Sequence, residues 1–208
     1  MKKQIAMILC CVLLLGSLAA CESVDYVAQV EGTWICAVEQ QEQKQKLMEN
    51  MELYEEEMAL VDTKLFTAKT VTFNADKTYY FAEDPDRVKA HLRNFYSGLF
   101  QDLYEGRAAL AECYDTDISQ LSEEEFFQFY AELYGAKDYE ALIPQLADNT
   151  YDYDAFEKLE EGTFGIGSKG ITVDTEGTEN DGTISYTLKD GVLTLVYSDS
   201  TEVYTRHN

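Results

Sequence analysis

The chain has 208 residues, with 39 acidic against 16 basic side chains and a formal net charge of −23 at pH 7. Binding a nucleic-acid backbone and lying on an anionic bilayer both need basic surface, so this balance excludes both roles. The acidity reads first as solubility and self-repulsion, and the length fits one domain enlarged by insertions. The first element in chain order is not part of the fold. Lys2 and Lys3 form a positive start, residues 5–15 form an apolar run too short to span a bilayer, and small residues then lead into Cys21.

Leu18-Ala19-Ala20-Cys21 resembles the lipobox of bacterial lipoproteins. The resemblance implies removal of residues 1–20 as a lipoprotein signal peptide and lipidation of Cys21. Residues 21–30 then form a short tether, and the protein is extracytoplasmic, anchored to the cell membrane by an N-terminal lipid. Cys10 and Cys11 leave with the signal, so only Cys36 and Cys113 remain to be explained. They either pair as a disulfide, which export permits, or stay as two buried thiols. With no CxxC and no Cys/His cluster, a zinc site is excluded.

Residues 31–208 form the domain. Short β-branched and aromatic segments predict strands over 32–38, 70–74, 78–82, 163–167, 171–174, 183–188, 192–197 and 202–206. Asp190-Gly191 suits a tight hairpin that needs positive φ, and residues 74–77 fit a type I turn followed by a left-handed Lys77. Two insertions interrupt the strands. Over 39–63, Leu47, Met51, Tyr54, Met58 and Val61 predict one continuous helical stripe, with Glu52, Glu55, Glu56 and Glu57 on the solvated face. Over 84–161, Asp84-Pro85-Asp86 predicts a helix start, followed by Val88, Leu92, Phe95, Leu99, Leu103 and Leu110 on one side. Ser122 and Glu125 predict a capping box, opening a helix with Phe126, Phe127, Tyr130, Leu133 and Tyr134 that stops near Gly135. A shorter helix from Asp138 is expected to be limited by Pro144. Helices with such aromatic faces are expected to pack on one another or on the barrel.

Eight strands in mostly sequential order predict an α+β protein: an antiparallel up-and-down β-barrel with helical insertions capping one rim. Gly32 and Trp34 resemble the Gly-x-Trp on the first strand of lipocalins, and Arg206 on the last strand resembles their closing arginine. An arginine over the single indole would seal one end by a cation–π contact. Residues 72–79 and 184–195 are similar to lipocalin-like domains of bacterial lipoproteins, so the resemblance covers about half of the chain beyond the signal. The large insertions depart from that pattern, and an open cavity is not carried over.

Strand parity adds a deduction. If Trp34 marks the closed end, the links between strands 2–3, 4–5 and 6–7 fall there, and all three are short. Both helical insertions and the acidic loop 175–182 fall at the opposite rim.

Catalytic constellations are few. His207 is penultimate and is expected to fray, while His91 sits beside Arg87, Lys89 and Arg93, a basic cluster that reads as pairing with the acidic surface. No nucleophile motif occurs, so no enzymatic activity, catalytic residue or cofactor is expected. Residues 148–154, and Asp174 with Glu176, Glu179 and Asp181, are rich in oxygen ligands but lack an EF-hand's glycine and terminal glutamate, and they read as solvated loops rather than a metal site. The expected function is a tethered binding module for a small apolar or amphipathic ligand, with Tyr54, Phe95, Phe127, Tyr130 and Tyr134 as its candidate rim. The alternative is a filled barrel that displays the insertions to an envelope protein partner.

Overall fold

Where alternation predicts strands, strands form: β1 (Gly32–Glu39), β2 (Phe66–Phe73), β3 (Thr78–Glu83), β4 (Glu160–Gly167), β5 (Gly170–Thr175), β6 (Gly182–Lys189), β7 (Val192–Val196) and β8 (Thr201–Arg206). The structure is a computed structural model that describes residues 25–111, 113, 114, 117–150, 160–168, 170–175, 182–198 and 200–207. Cys21, the signal segment and most of both oxygen-rich loops lie outside the described residues. The strands pair in sequence order, all antiparallel, and β8 returns to β1 through Trp34↔Arg206 and Ile35↔Thr205. Closure removes the free sheet edge that an open array would present to other chains.

Register decides which side chains point inward. Trp34 opposes Val71, Cys36 opposes Lys69, and Val71 in turn opposes Phe81. These positions face the interior with Phe73, Tyr79, Phe164, Ile171, Ile184, Leu193, Leu195 and Tyr204, all buried in one cluster with Trp34. An eight-stranded barrel is just wide enough for side chains to fill, and the Trp34 half is filled in that way. The predicted turns carry their expected geometry: Lys77 has φ 67°, and Asp190 and Gly191 have φ 52° and 76°, as a two-residue hairpin loop with right-handed strand twist requires.

Both insertions leave the barrel at the rim opposite Trp34. The first holds α2 (Gln41–Asn50) and α3 (Glu55–Leu60), and a short α1 (Tyr26–Val30) precedes β1. The second holds α4 (Pro85–Gly106), two 3-10 turns (Arg107–Leu110 and Ile118–Gln120), α5 (Glu123–Leu133) and α6 (Tyr139–Thr150). Asp84 caps α4, accepting from the Arg87 N–H at 3.1 Å, and Ser122 with Glu125 forms the capping box of α5. The helices build a second core around Phe95, Leu99, Phe100, Leu103, Leu110, Phe126 and Tyr130, all fully buried. That core takes in Ile35 and Ala68, which face outward from β1 and β2, so it extends down the outer wall of the barrel.

Two helix expectations change. The single helix over 39–63 is two helices, because α2 ends in a Schellman motif. The Leu53 N–H donates to Met48 O at 3.3 Å and the Glu52 N–H to Glu49 O at 2.9 Å, with Glu52 left-handed at φ 58°. Glutamate replaces the usual glycine there, at a conformational cost of about 1 kcal/mol. The break rotates α3 so that Tyr54 is 48 % exposed and Glu57, predicted on the solvated face, is fully buried. The second change is that α6 continues through Pro144 to Thr150. The carbonyl that Pro144 leaves without its helical partner belongs to Glu140, an exposed residue that water can serve.

Candidate binding site at the barrel mouth

The closed end is built from residues far apart in the chain. The Arg206 guanidinium lies 4.5 Å from the Trp34 ring centre. Its Nη1 donates to Glu31 O at 2.8 Å and its Nη2 to Gln29 O at 3.1 Å, while Trp34 Nε1 donates to Val30 O at 2.7 Å. These bonds hold α1 across the barrel end, and Val27 and Val30 join the barrel core. Gly32 has φ 117°, a conformation that glycine adopts without strain, and a Cβ there would stand 2.9 Å from Arg206 Nη1 and displace the guanidinium. The three predicted closure residues thus meet at one end. His207 is also held: its N–H donates to Thr33 O at 2.9 Å, and its Nε2 lies 2.6 Å from Asp84 Oδ2.

Towards the other rim the interior becomes polar. Lys69 Nζ lies 2.9 and 3.2 Å from the two Glu202 carboxylate oxygens. It stands 4.7 Å from the Phe81 ring centre and 5.7 Å from that of Tyr197. The Tyr204 hydroxyl donates to Glu202 Oε2 at 2.6 Å, and the Tyr79 hydroxyl donates to Glu160 Oε1 at 2.7 Å. Nearer the rim, Thr67 Oγ1 donates to Glu83 Oε1 at 2.5 Å. Burial raises the pKa values of Tyr197 and Tyr204, and neighbouring Glu202 pushes in the same direction, so both hydroxyls stay protonated. Tyr204 donates to Glu202, while the buried Tyr197 hydroxyl has no hydrogen-bond partner among the described residues. Cys36 lies among these groups; burial pushes its thiol up to about 11, against the smaller lowering effects of Tyr204 and Lys69. It is therefore a neutral thiol at pH 7. Cys113 belongs to the helical core, and both cysteines are free.

An ammonium and a carboxylate, partly exposed and framed by aromatic faces and hydroxyls, can bind a polar head group while the aromatic wall takes an apolar body. Sequence reasoning did not single out this cluster. The signal was present in the inward parity of β2 and β8, which places charged Lys69 and Glu202 beside the apolar Val71, Phe73 and Tyr204.

The predicted rim residues separate instead. Phe95 and Tyr130 are fully buried in the helical core. Phe127 is partly buried and stacked on Tyr139 at 4.3 Å and 12°, and Tyr134 donates to Met51 O at 3.0 Å. Only Tyr54 is largely exposed, its ring meeting Tyr114 edge-on at 5.3 Å. An aromatic helical stripe looks the same whether it faces a ligand or a neighbouring helix, and here it faces helices. Tyr130 is consumed by Glu57: that carboxylate accepts from the Tyr130 and Tyr114 hydroxyls at 2.5 Å each and from the Tyr54 N–H at 2.8 Å.

The basic cluster on α4 is absorbed by its surroundings. Lys89 pairs with Asp148 at 2.8 Å, and Arg87 lies 3.8 Å from Asp84. Burial and then the charge of Arg87 lower the pKa of His91, whose ring lies 6.0 Å from that of Phe66. Among the described residues no group of three His, Cys, Asp or Glu side chains converges as a metal site, and no helix is long and apolar enough to cross a membrane. No family model, curated protein or solved structure matches the chain.

Proposed function

We propose that the protein is a lipid-anchored, extracytoplasmic and non-enzymatic binding module whose barrel mouth takes a small amphipathic molecule. One observation carries the reading: the barrel is sealed by Trp34 and Arg206 at one end and lined by the Lys69–Glu202 pair, Phe81 and tyrosines towards the other. A charged pair inside a barrel is costly to desolvate and adds little stability over apolar packing, so its retention favours a recognition role. The filled Trp34 half confines the ligand to the outer half, with its polar end at Lys69 and Glu202. Because α1 is held across the sealed end, only residues 22–25 separate Cys21 from the fold, a reach of at most about 18 Å when extended. Since β1 starts at the sealed end, that end faces the membrane and the mouth faces away.

Native mass spectrometry of protein purified from its host tests the ligand. An adduct of small-molecule mass that vanishes on denaturation, and that Lys69→Met abolishes while the variant stays folded, is the expected result. A bare native mass, together with no uptake of an apolar fluorescent probe, overturns it. Growth with a clickable fatty acid tests the anchor separately: the intact chain should take up label and Cys21→Ser should not.

A further inference from the structure

The outer face of α5 brings together an apolar floor and acidic side chains without cation partners among the described residues. Leu121, Glu124, Glu125, Gln128, Phe129 and Glu132 line an open groove of about 510 Å³. Glu124, Glu125, Gln128, Phe129 and Glu132 recur at three and four along α5 on the face opposite the buried Phe126 and Tyr130, and Leu121 adjoins them just before the helix. Phe129 meets Tyr114 edge-on at 5.2 Å, and Tyr114 meets the exposed Tyr54, so an aromatic row continues from the groove to the start of α3. Glu55 and Glu56 are exposed there.

The charges are one-sided. No cation pairs with Glu124, Glu125 or Glu132 among the described residues, whereas Lys46, Lys64, Lys69, Lys89 and Lys137 each have an acidic partner. Glu125 accepts from the Ser122 hydroxyl at 2.7 Å, and the Glu132 carboxylate accepts from the Gln128 amide at 3.0 Å. Leu133, at the end of the same helix, is 52 % exposed. An apolar strip walled by carboxylates on a strongly acidic protein repels a second copy of itself and most nucleic acids. It attracts a segment that carries apolar anchors between lysines or arginines, for which Phe129 and Tyr54 also offer ring faces.

We infer that this groove docks a cationic amphipathic peptide segment of a partner protein, independently of any ligand in the barrel. The apolar residues of the segment rest on Leu121 and Phe129, and its basic residues pair with Glu124 and Glu132. Because the partner's charges are drawn in from solution, association is salt-sensitive.

The test uses the full-length protein and three fluorescent helical peptides. The first carries leucines at helical spacing flanked by lysines; the second has serine in place of leucine; the third has glutamate in place of lysine. Anisotropy should report micromolar binding of the first alone, weakened at least tenfold by E124K/E132K and by raising the salt from 0.1 to about 1 M, where the Debye length falls to ~3 Å. A variant with the same net charge change on the barrel, E31K/D174K, should bind within twofold of the unaltered protein. Circular dichroism checks that each variant is folded, which all four exposed positions permit. Equal loss in E31K/D174K, retained affinity in E124K/E132K, or equal binding of the serine peptide each overturns the inference. So does a concentration-dependent dimer that E124K/E132K abolishes, which would make a second copy the occupant.

Discussion

The barrel core and the helical core each hold a carboxylate among tyrosines, but they hold it differently. In the barrel, Glu202 meets a cation, Lys69, and remains close to the mouth. In the helical core, Glu57 has no cation partner among the described residues and is satisfied by two tyrosine hydroxyls and a backbone N–H, at zero exposure. The first arrangement neutralises charge and leaves water a route to it. The second gives one carboxyl group three donors and ties α3, α5 and the turn at Tyr114 together. A buried carboxylate of this second kind acts as a structural pin, whereas the mouth pair stays partly exposed.

Alkali should break both cores. Burial, reinforced by Glu57, raises the pKa values of Tyr130 and Tyr114; burial, reinforced by Glu202, does the same for Tyr204. The folded state therefore holds protons that the unfolded chain releases above about 10. Their contribution is fully present below that pH and is lost as pH rises above it. Tyrosinate absorbance from these residues should appear together with loss of near-UV circular dichroism; early titration with the fold intact would show them to be accessible.

The next largest effect separates the cores. Glu57→Ala should lower stability by about 3–5 kcal/mol in urea unfolding, since it strands two hydroxyls and an N–H in a dry core. Lys69→Met should cost about 1–3 kcal/mol, and Lys69→Met with Glu202→Met should recover most of it, because replacing a whole pair by apolar side chains is often neutral. Equal costs for Glu57→Ala and Lys69→Met would erase the distinction between pin and mouth. Arg206→Ala, at the exposed lid of the barrel, should cost only about 1 kcal/mol through the lost cation–π contact and carbonyl bonds. The smallest change has the opposite sign: Lys77→Gly should stabilise by up to about 1 kcal/mol, because Lys77 holds a left-handed conformation that glycine adopts without a Cβ clash. A destabilised Lys77→Gly would mean that unfolded-state entropy outweighs the relief.

Local and periodic features of the chain were legible in its sequence. Alternation is a period-two property of each strand, so the eight strands, the inward set and the parity that sends both insertions to one rim follow from residue order. Turn chemistry is equally local: Lys77 and Asp190-Gly191 take positive φ where their neighbours demand it. The closure trio of Gly32, Trp34 and Arg206 was readable because parity brings the chain's last strand back to its first.

Tertiary packing decided the rest. Nothing between Leu47 and Val61 announces a helix break, because the left-handed residue is Glu52 rather than glycine, and the Met48–Leu53 bond that compensates for it forms only in the folded chain. That break turns Glu57 from a surface charge into a buried acceptor and removes Tyr130 from any binding rim. The mouth pair likewise needed three strands to be assembled, since Lys69 and Glu202 are 133 residues apart and meet only across β1. Periodicity reports which side of an element is apolar; only the neighbour that arrives there determines whether an aromatic becomes core, lid or binding surface.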